Sequence, residues 1–159
     1  MSATYNASEV FQFAITMEEN GEKFYRELAK HSSDNEIKKF FDLIANEEVK
    51  HGKQFSKILS TFESYDPADA YPEEYFLYLK ALVDNIIFDK TNIEQEKTKI
   101  KSVNESVKLA IRNEWESILY YQEIKNLVSK DQQHLIEEII DQERNHFLKL
   151  TEFLQDIKN

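Results

Sequence analysis

Glu48-Val-Lys-His51 and Glu143-Arg-Asn-His146 each set a carboxylate and an imidazole three residues apart, a spacing that puts both on one face of a helix, where they can share a metal ion. One such pair means little, because 21 Glu and four His in 159 residues make a match about as common as not by chance. Its recurrence means more. The second pair follows the first at a shift of 95, and two further glutamates, Glu18 and Glu114, are related by a shift of 96. Four carboxylates with two neutral imidazoles carry a charge that two divalent cations cancel. An oxygen-rich set with one imidazole per metal suits iron or manganese, whereas zinc prefers fewer ligands and more nitrogen or sulfur.

Such a set needs a rigid frame, and the composition points to helices. Two Gly and two Pro leave few places to turn, 13% aromatic residues give bulk to a core, and the length fits a single domain over residues 1–159. The absence of Cys excludes disulfides, thiolate zinc sites and Cys-ligated iron. A net charge of -10 argues against nucleic acid or an anionic membrane surface as partner. The first residues, MSATYNASEVFQF, lack the basic start and long apolar core of a signal peptide, and no apolar run approaches the ~18 residues of a membrane span. A soluble cytoplasmic protein is expected.

Apolar periodicity predicts an all-α chain of two antiparallel hairpins, about 7–61 and 104–157, joined by a crossover of about 62–103. The four long helices run from about Ala7 to His31, Asp34 to Thr61, Asn104 to Ser129 and Asp131 to Ile157, and Ser33-Asp-Asn-Glu36 has the spacing of a capping box. The crossover holds Pro67, Pro72 and a short helical stretch from Glu73 to Phe88, and can travel the length of a bundle. The hairpins repeat one another. Phe11 matches Val107, Ala14 matches Ala110 and Tyr25 matches Tyr121; Phe41 matches Ile136, Ile44 matches Ile139 and Phe55 matches Leu150. These positions step by three and four, so each helix has an apolar seam interrupted near its middle by Glu or Glu-x-x-His. Burying an unpaired ion costs several kcal/mol, and four would rival the ~5–15 kcal/mol that holds a domain folded. Bound metal offsets that cost; without it, burial and mutual repulsion are expected to raise the pKa of all four glutamates.

A Glu from each of two helices plus Glu-x-x-His from each of the other two is the donor pattern of ferritin-like di-iron and di-manganese bundles. Glu18-Glu-Asn-Gly-Glu-Lys-Phe-Tyr25, Glu48-Val-Lys-His51, Glu114-Trp-Glu-Ser-Ile-Leu-Tyr-Tyr121 and Glu143-Arg-Asn-His146 resemble in particular the rubrerythrin-like branch, over nearly the whole chain. The resemblance implies a ferritin-like four-helix bundle whose two Fe ions, or Mn in their place, are held by Glu18, Glu48, His51, Glu114, Glu143 and His146. Glu48 and Glu143 would bridge. It also implies that Tyr25 and Tyr121, one heptad beyond their glutamates, hydrogen-bond ligand carboxylates and hold their orientation. The implied activity is that of an oxidoreductase in which Fe(II) is oxidised by O2 or H2O2 and an external donor returns the electrons. That donor would be a separate rubredoxin-type protein, since the Cys-ligated domain of full-length rubrerythrins has no counterpart here. A homodimer is the expected assembly. Peroxide-reducing members carry an additional glutamate three residues beyond the third-helix ligand, where this chain has Ser117; Gly21 holds the equivalent position in the first helix. The alternatives are an iron-storing protein that oxidises Fe(II) to deposit it and a metal-free structural bundle.

Other residues have plainer expected roles. Asp131-x-x-His134 reads as a helix-start cap with a surface histidine, and His31 as a favourable charge at a helix C-terminus. Trp115 and Glu116 are expected in packing and solvation, and Tyr65, Tyr71, Tyr75, Phe76 and Tyr78 in packing against the bundle or a second subunit. Asn46 and Asp141, two residues before their ligands, are expected to orient a histidine across the bundle.

Overall fold

The computed structural model describes residues 7–63, 72–86 and 102–158. Among them the chain forms α1 (Ala7–His31), α2 (Asn35–Ser60) running into a 3-10 turn (Thr61–Glu63), α3 (Glu73–Asn85), α4 (Val103–Ile124) followed by a second 3-10 turn (Lys125–Leu127), and α5 (Lys130–Lys158). The four expected long helices are present. The crossover helix ends at Asn85, short of Phe88, and Tyr65, Pro67, Tyr71 and Phe88 lie outside the described residues. No described helix is long and apolar enough to cross a membrane.

Local chemistry sets the helix ends. Asp34, in extended conformation, caps α2: its Oδ1 accepts from the backbone N–H groups of Glu36 (2.8 Å) and Ile37 (3.1 Å). Ser33 is therefore not the cap, and Glu36 turns outward to Lys39 at 3.1 Å instead of closing a capping box. Ser102 caps α4 in the same way, accepting from Glu105 N–H at 3.2 Å. Asp131 lies inside the first turn of α5, not at its cap.

Helices α1 and α2 pack as one hairpin and α4 and α5 as the other; α1 also meets α4, and α2 meets α5, which closes a four-helix bundle. Helix α3 lies against α4, burying Phe76 and Leu79, and Tyr75 donates its hydroxyl to the Glu123 carbonyl at 2.6 Å. Tyr78 is exposed.

The core is divided in two. One apolar cluster gathers Val10, Phe11 and Ala14 of α1, Phe55 and Ile58 of α2, Tyr120 and Ile124 of α4, and Ile136, Ile139 and Ile140 of α5. The other gathers Phe24 and Ala29 of α1, Phe41 and Ile44 of α2, Val107 and Ala110 of α4, and Leu150 of α5. Every long helix crosses from one cluster to the other, and each carries its glutamate or Glu-x-x-His between them. The seam is thus two dry ends with a polar layer at mid-height.

Candidate metal centre

That layer holds all six candidate donors, none more than 2% exposed: Glu18 from α1, Glu48 and His51 from α2, Glu114 from α4, Glu143 and His146 from α5. Their ligand atoms fall into two groups, each within 4.8 Å. Glu18, Glu48, His51 and Glu143 form one; Glu48, Glu114, Glu143 and His146 form the other. Glu48 and Glu143 belong to both. His51 Nδ1 lies 2.6 Å from Glu143, 3.5 Å from Glu18 and 3.7 Å from Glu48. His146 Nδ1 lies 3.5 Å from each of Glu48, Glu114 and Glu143. The two rings face each other with centroids 6.0 Å apart. Glu18 Oε2, Glu48 Oε1, Glu114 Oε2 and His146 Nδ1 are buried and lack a hydrogen-bond partner, although buried polar atoms are nearly always paired, and His51 Nδ1 meets Glu143 Oε1 at 2.6 Å. Donor atoms that converge largely unpaired in this way fit a metal ion in each group.

The outer faces of the donors are held in a crossed pattern. Tyr25 of α1 donates its hydroxyl to Glu114 of α4, and Tyr121 of α4 donates to Glu18 of α1. Each phenol is fixed by a ring, Tyr25 stacked on Phe41 at 6.4 Å and Tyr121 tilted against Phe55 at 4.7 Å. The histidines cross similarly. His51 Nε2 contacts Gln142 Oε1 of α5, and His146 Nε2 contacts Glu47 Oε2 of α2, each at 2.5 Å. With Nδ1 turned inward, Nε2–H donates outward, which fixes ring and tautomer. The sequence expectation assigned this role to Asn46 and Asp141, and the structure corrects it: Asn46 accepts from Arg26 at 2.7 Å, and Asp141 from Arg144 at 2.7 Å. Residues two before a ligand lie nearly opposite it on the helix, whereas Glu47 stands four before His51 and Gln142 four before His146, on the flank that faces the partner helix.

The pattern of charge is also not the expected one. Burial, then the charges of Glu48 and Glu143, push the Glu18 carboxyl well above the usual carboxylate range, and burial with the Glu143 charge does the same to Glu114. Glu48 and Glu143 go the other way. Burial opposes ionisation of both, but contacts with Glu18, His146 and His51 hold Glu48 below its ordinary value, and the His51 charge with contacts to Glu114, His146 and His51 holds Glu143 well below. Burial disfavours the imidazolium of His51 and His146, yet the surrounding carboxylates outweigh it and raise both far above the ordinary value. Without metal, Glu18 and Glu114 are thus the carboxyls that favour the proton, and Glu48 and Glu143 those that favour the charge. Tyr25 and Tyr121 keep their protons, raised first by burial and then by the carboxylates they face.

Residues outside this set lie apart from it. His134 is exposed and pairs with Glu138 at 3.0 Å, and His31 is exposed 3.7 Å from Glu27. Trp115 is 56% exposed. Glu116 is buried instead of solvated, bonded to Arg112 at 2.9 Å, and belongs to neither donor group. Ser117 is buried one turn beyond Glu114.

The rubrerythrin family model matches residues 9–154. A crystal structure described as that of a ferritin-like diiron-carboxylate protein from Thermotoga maritima is 31% identical to this chain, with 98% of each chain covered and a TM-score of 0.72. None of the curated proteins matches.

Proposed function

Since the chain belongs to the rubrerythrin family of ferritin-like diiron proteins, we propose that its mid-bundle layer holds two iron ions and passes electrons from an external donor to O2 or H2O2. Convergence of six buried donors into two groups that share Glu48 and Glu143 carries this reading. Glu18 and His51 would serve one ion, Glu114 and His146 the other, and the shared glutamates both. When bound, two Fe(II) supply the two electrons that reduce one H2O2 with two protons to two waters, and a separate rubredoxin-type protein would restore them. The chain's own contributions are positional. Tyr25 Oη and Tyr121 Oη hold protons against Glu114 and Glu18, so that each carboxylate keeps its orientation, and the two apolar clusters keep bulk water from both ends of the layer.

The test is anaerobic Fe(II) titration of metal-depleted protein followed by separate exposure to O2 and H2O2 in stopped flow. Both oxidants are expected to react with little preference, because Ser117 offers no charged oxygen one turn beyond Glu114, and Ser117→Glu is expected to shift the ratio toward peroxide. Glu116 is engaged with Arg112 and cannot substitute for that carboxylate. If the natural protein consumes H2O2 orders of magnitude faster than O2, position 117 does not set the preference.

The histidine partners give a second expectation. Glu47→Gln removes the carboxylate behind His146 and should weaken one of two binding steps by about tenfold, since partners of ligating histidines contribute 10–100-fold to affinity. Gln142→Glu should strengthen the other. Calorimetric titration that finds both steps unchanged would show that these contacts do not tune the donors.

A further inference from the structure

We propose that divalent cations enter the centre through a groove between α1 and α2, opened by Gly52 and drawn upon by Glu19 and Glu22 at its mouth. The proposal rests on the two-cation reading above and adds the path by which the layer is filled. The groove has a volume of about 230 Å³, with Glu18 and Glu48 among its lining residues and Glu19, Glu22 and Lys53 at its rim. Water occupies about 30 Å³ in the liquid, so a cation with part of its hydration shell has room. The carboxylates at the floor are nearly fully buried, and Glu18 Oε2 and Glu48 Oε1 have no hydrogen-bond partner. At the rim Glu22 also pairs with Arg26 at 3.6 Å, which leaves Glu19 as the less encumbered charge.

Gly52 lines the groove, and the chain's other glycine, Gly21, faces the same buried pair from α1 without lining it. Both lie inside helices at negative φ, where Gly costs about 1 kcal/mol relative to Ala and gives no conformational benefit. Each faces a donor of the other helix in its hairpin. A Cβ at position 52 would lie 3.6 Å from Glu18 Cβ, and one at position 21 would lie 3.6 Å from the Glu48 carboxyl. These are ordinary contact distances, so packing does not forbid alanine at either place. At position 52, which lines the groove, a side chain would extend over Glu18, and glycine leaves that space unfilled.

The opposite hairpin lacks this provision. At the positions equivalent to Glu19, Glu22, Gly52 and Lys53 stand Trp115, Ile118, Phe147 and Leu148. A cation approaching α4 and α5 there meets exposed Trp115 and Leu148, with Arg144, paired to Asp141 at 2.7 Å, in place of Val49. Electrostatic attraction and space coincide on one face of the bundle.

Co(II) uptake by metal-depleted protein, followed by its visible absorption in stopped flow, tests the route, and the final stoichiometry tests the centre. Gly52→Phe should slow uptake about tenfold by requiring side-chain motion for entry, with stoichiometry unchanged. Phe147→Ala should leave the rate unaltered. Glu19→Gln with Glu22→Gln should slow uptake roughly threefold at low salt and much less at high salt. Gly52→Ala is the arm that does not depend on accommodating a large ring, and it should give a more stable metal-free helix that loads more slowly. Natural rates in both Gly52 variants, with two Co(II) bound, would overturn the route alone. A natural protein that binds no Co(II) would overturn the centre and the route with it.

Discussion

Glu48→Ala and Glu143→Ala are each expected to abolish tight binding of both cations, whereas His51→Ala or His146→Ala costs one. The difference follows from membership: each shared glutamate lies in both donor groups, and each imidazole in one. Removing a shared carboxylate leaves three donors in either group and strips a negative charge from a layer that would have to neutralise two dications. Removing one imidazole leaves the opposite group complete. Anaerobic Fe(II) titration reads the outcome as sites per chain. A Glu48→Ala protein that retains one tight site, or histidine variants that retain two, would refute the six-donor assignment.

Metal removal should produce the second large effect, and it should depend on pH. In the metal-free layer His51 and His146 favour the proton, as do Glu18 and Glu114 relative to ordinary carboxyls, and a loaded site cannot keep those protons, so loading should release them. Proton release can be read by calorimetry in buffers of different ionisation enthalpy. The same groups set the stability of the metal-free fold. Their folded values are raised from ordinary ones of 4.5 and 6.5, so the stability they contribute is complete below those values and is lost as pH rises through the raised ones. Glu48 and Glu143, held below 4.5, contribute in the opposite sense, present above that value and lost on acidification. Metal-free protein should therefore be most stable in mild acid and weaken toward alkaline pH. A cation at a thousandfold excess over its Kd adds about 4 kcal/mol, or a rise of about 10 °C in Tm for a chain of this size. The gap between loaded and metal-free protein should widen as pH increases. Equal melting of the two forms would instead favour a bundle that does not need metal.

The donor layer was legible in the sequence because it is written twice. Two shifted copies of one apolar rhythm, each broken by acid and imidazole at the same place, identify the interruptions as internal positions, and all six residues are buried where the rhythm placed them. What surrounds them was harder to read. Spacing alone fits either Ser33 or Asp34 as a cap, and only the extended backbone at Asp34 decides. The partners of the histidines were sought two residues before the ligands, although helical geometry favours Glu47 and Gln142, four before each histidine. Burial of Glu116 also had a signal, since Arg112 one turn earlier is the partner that permits it. The opposed pKa directions of the four glutamates follow a distinction the sequence already makes: Glu48 and Glu143, from the Glu-x-x-His pairs, face both imidazoles, whereas the lone Glu18 and Glu114 each face one.

Each hairpin supplies a glutamate and a Glu-x-x-His of its own and lends its shared glutamate to the other. The bundle is in this sense a dimer within one polypeptide, and the copies are free to diverge wherever the donors themselves are untouched. They have diverged at Glu47 against Gln142, Gly21 against Ser117 and Gly52 against Phe147, all within about one turn of a donor. A symmetric pair of ions would be interchangeable. With twofold donors but unequal surroundings, two bound ions would instead fill and leave their positions in a fixed order.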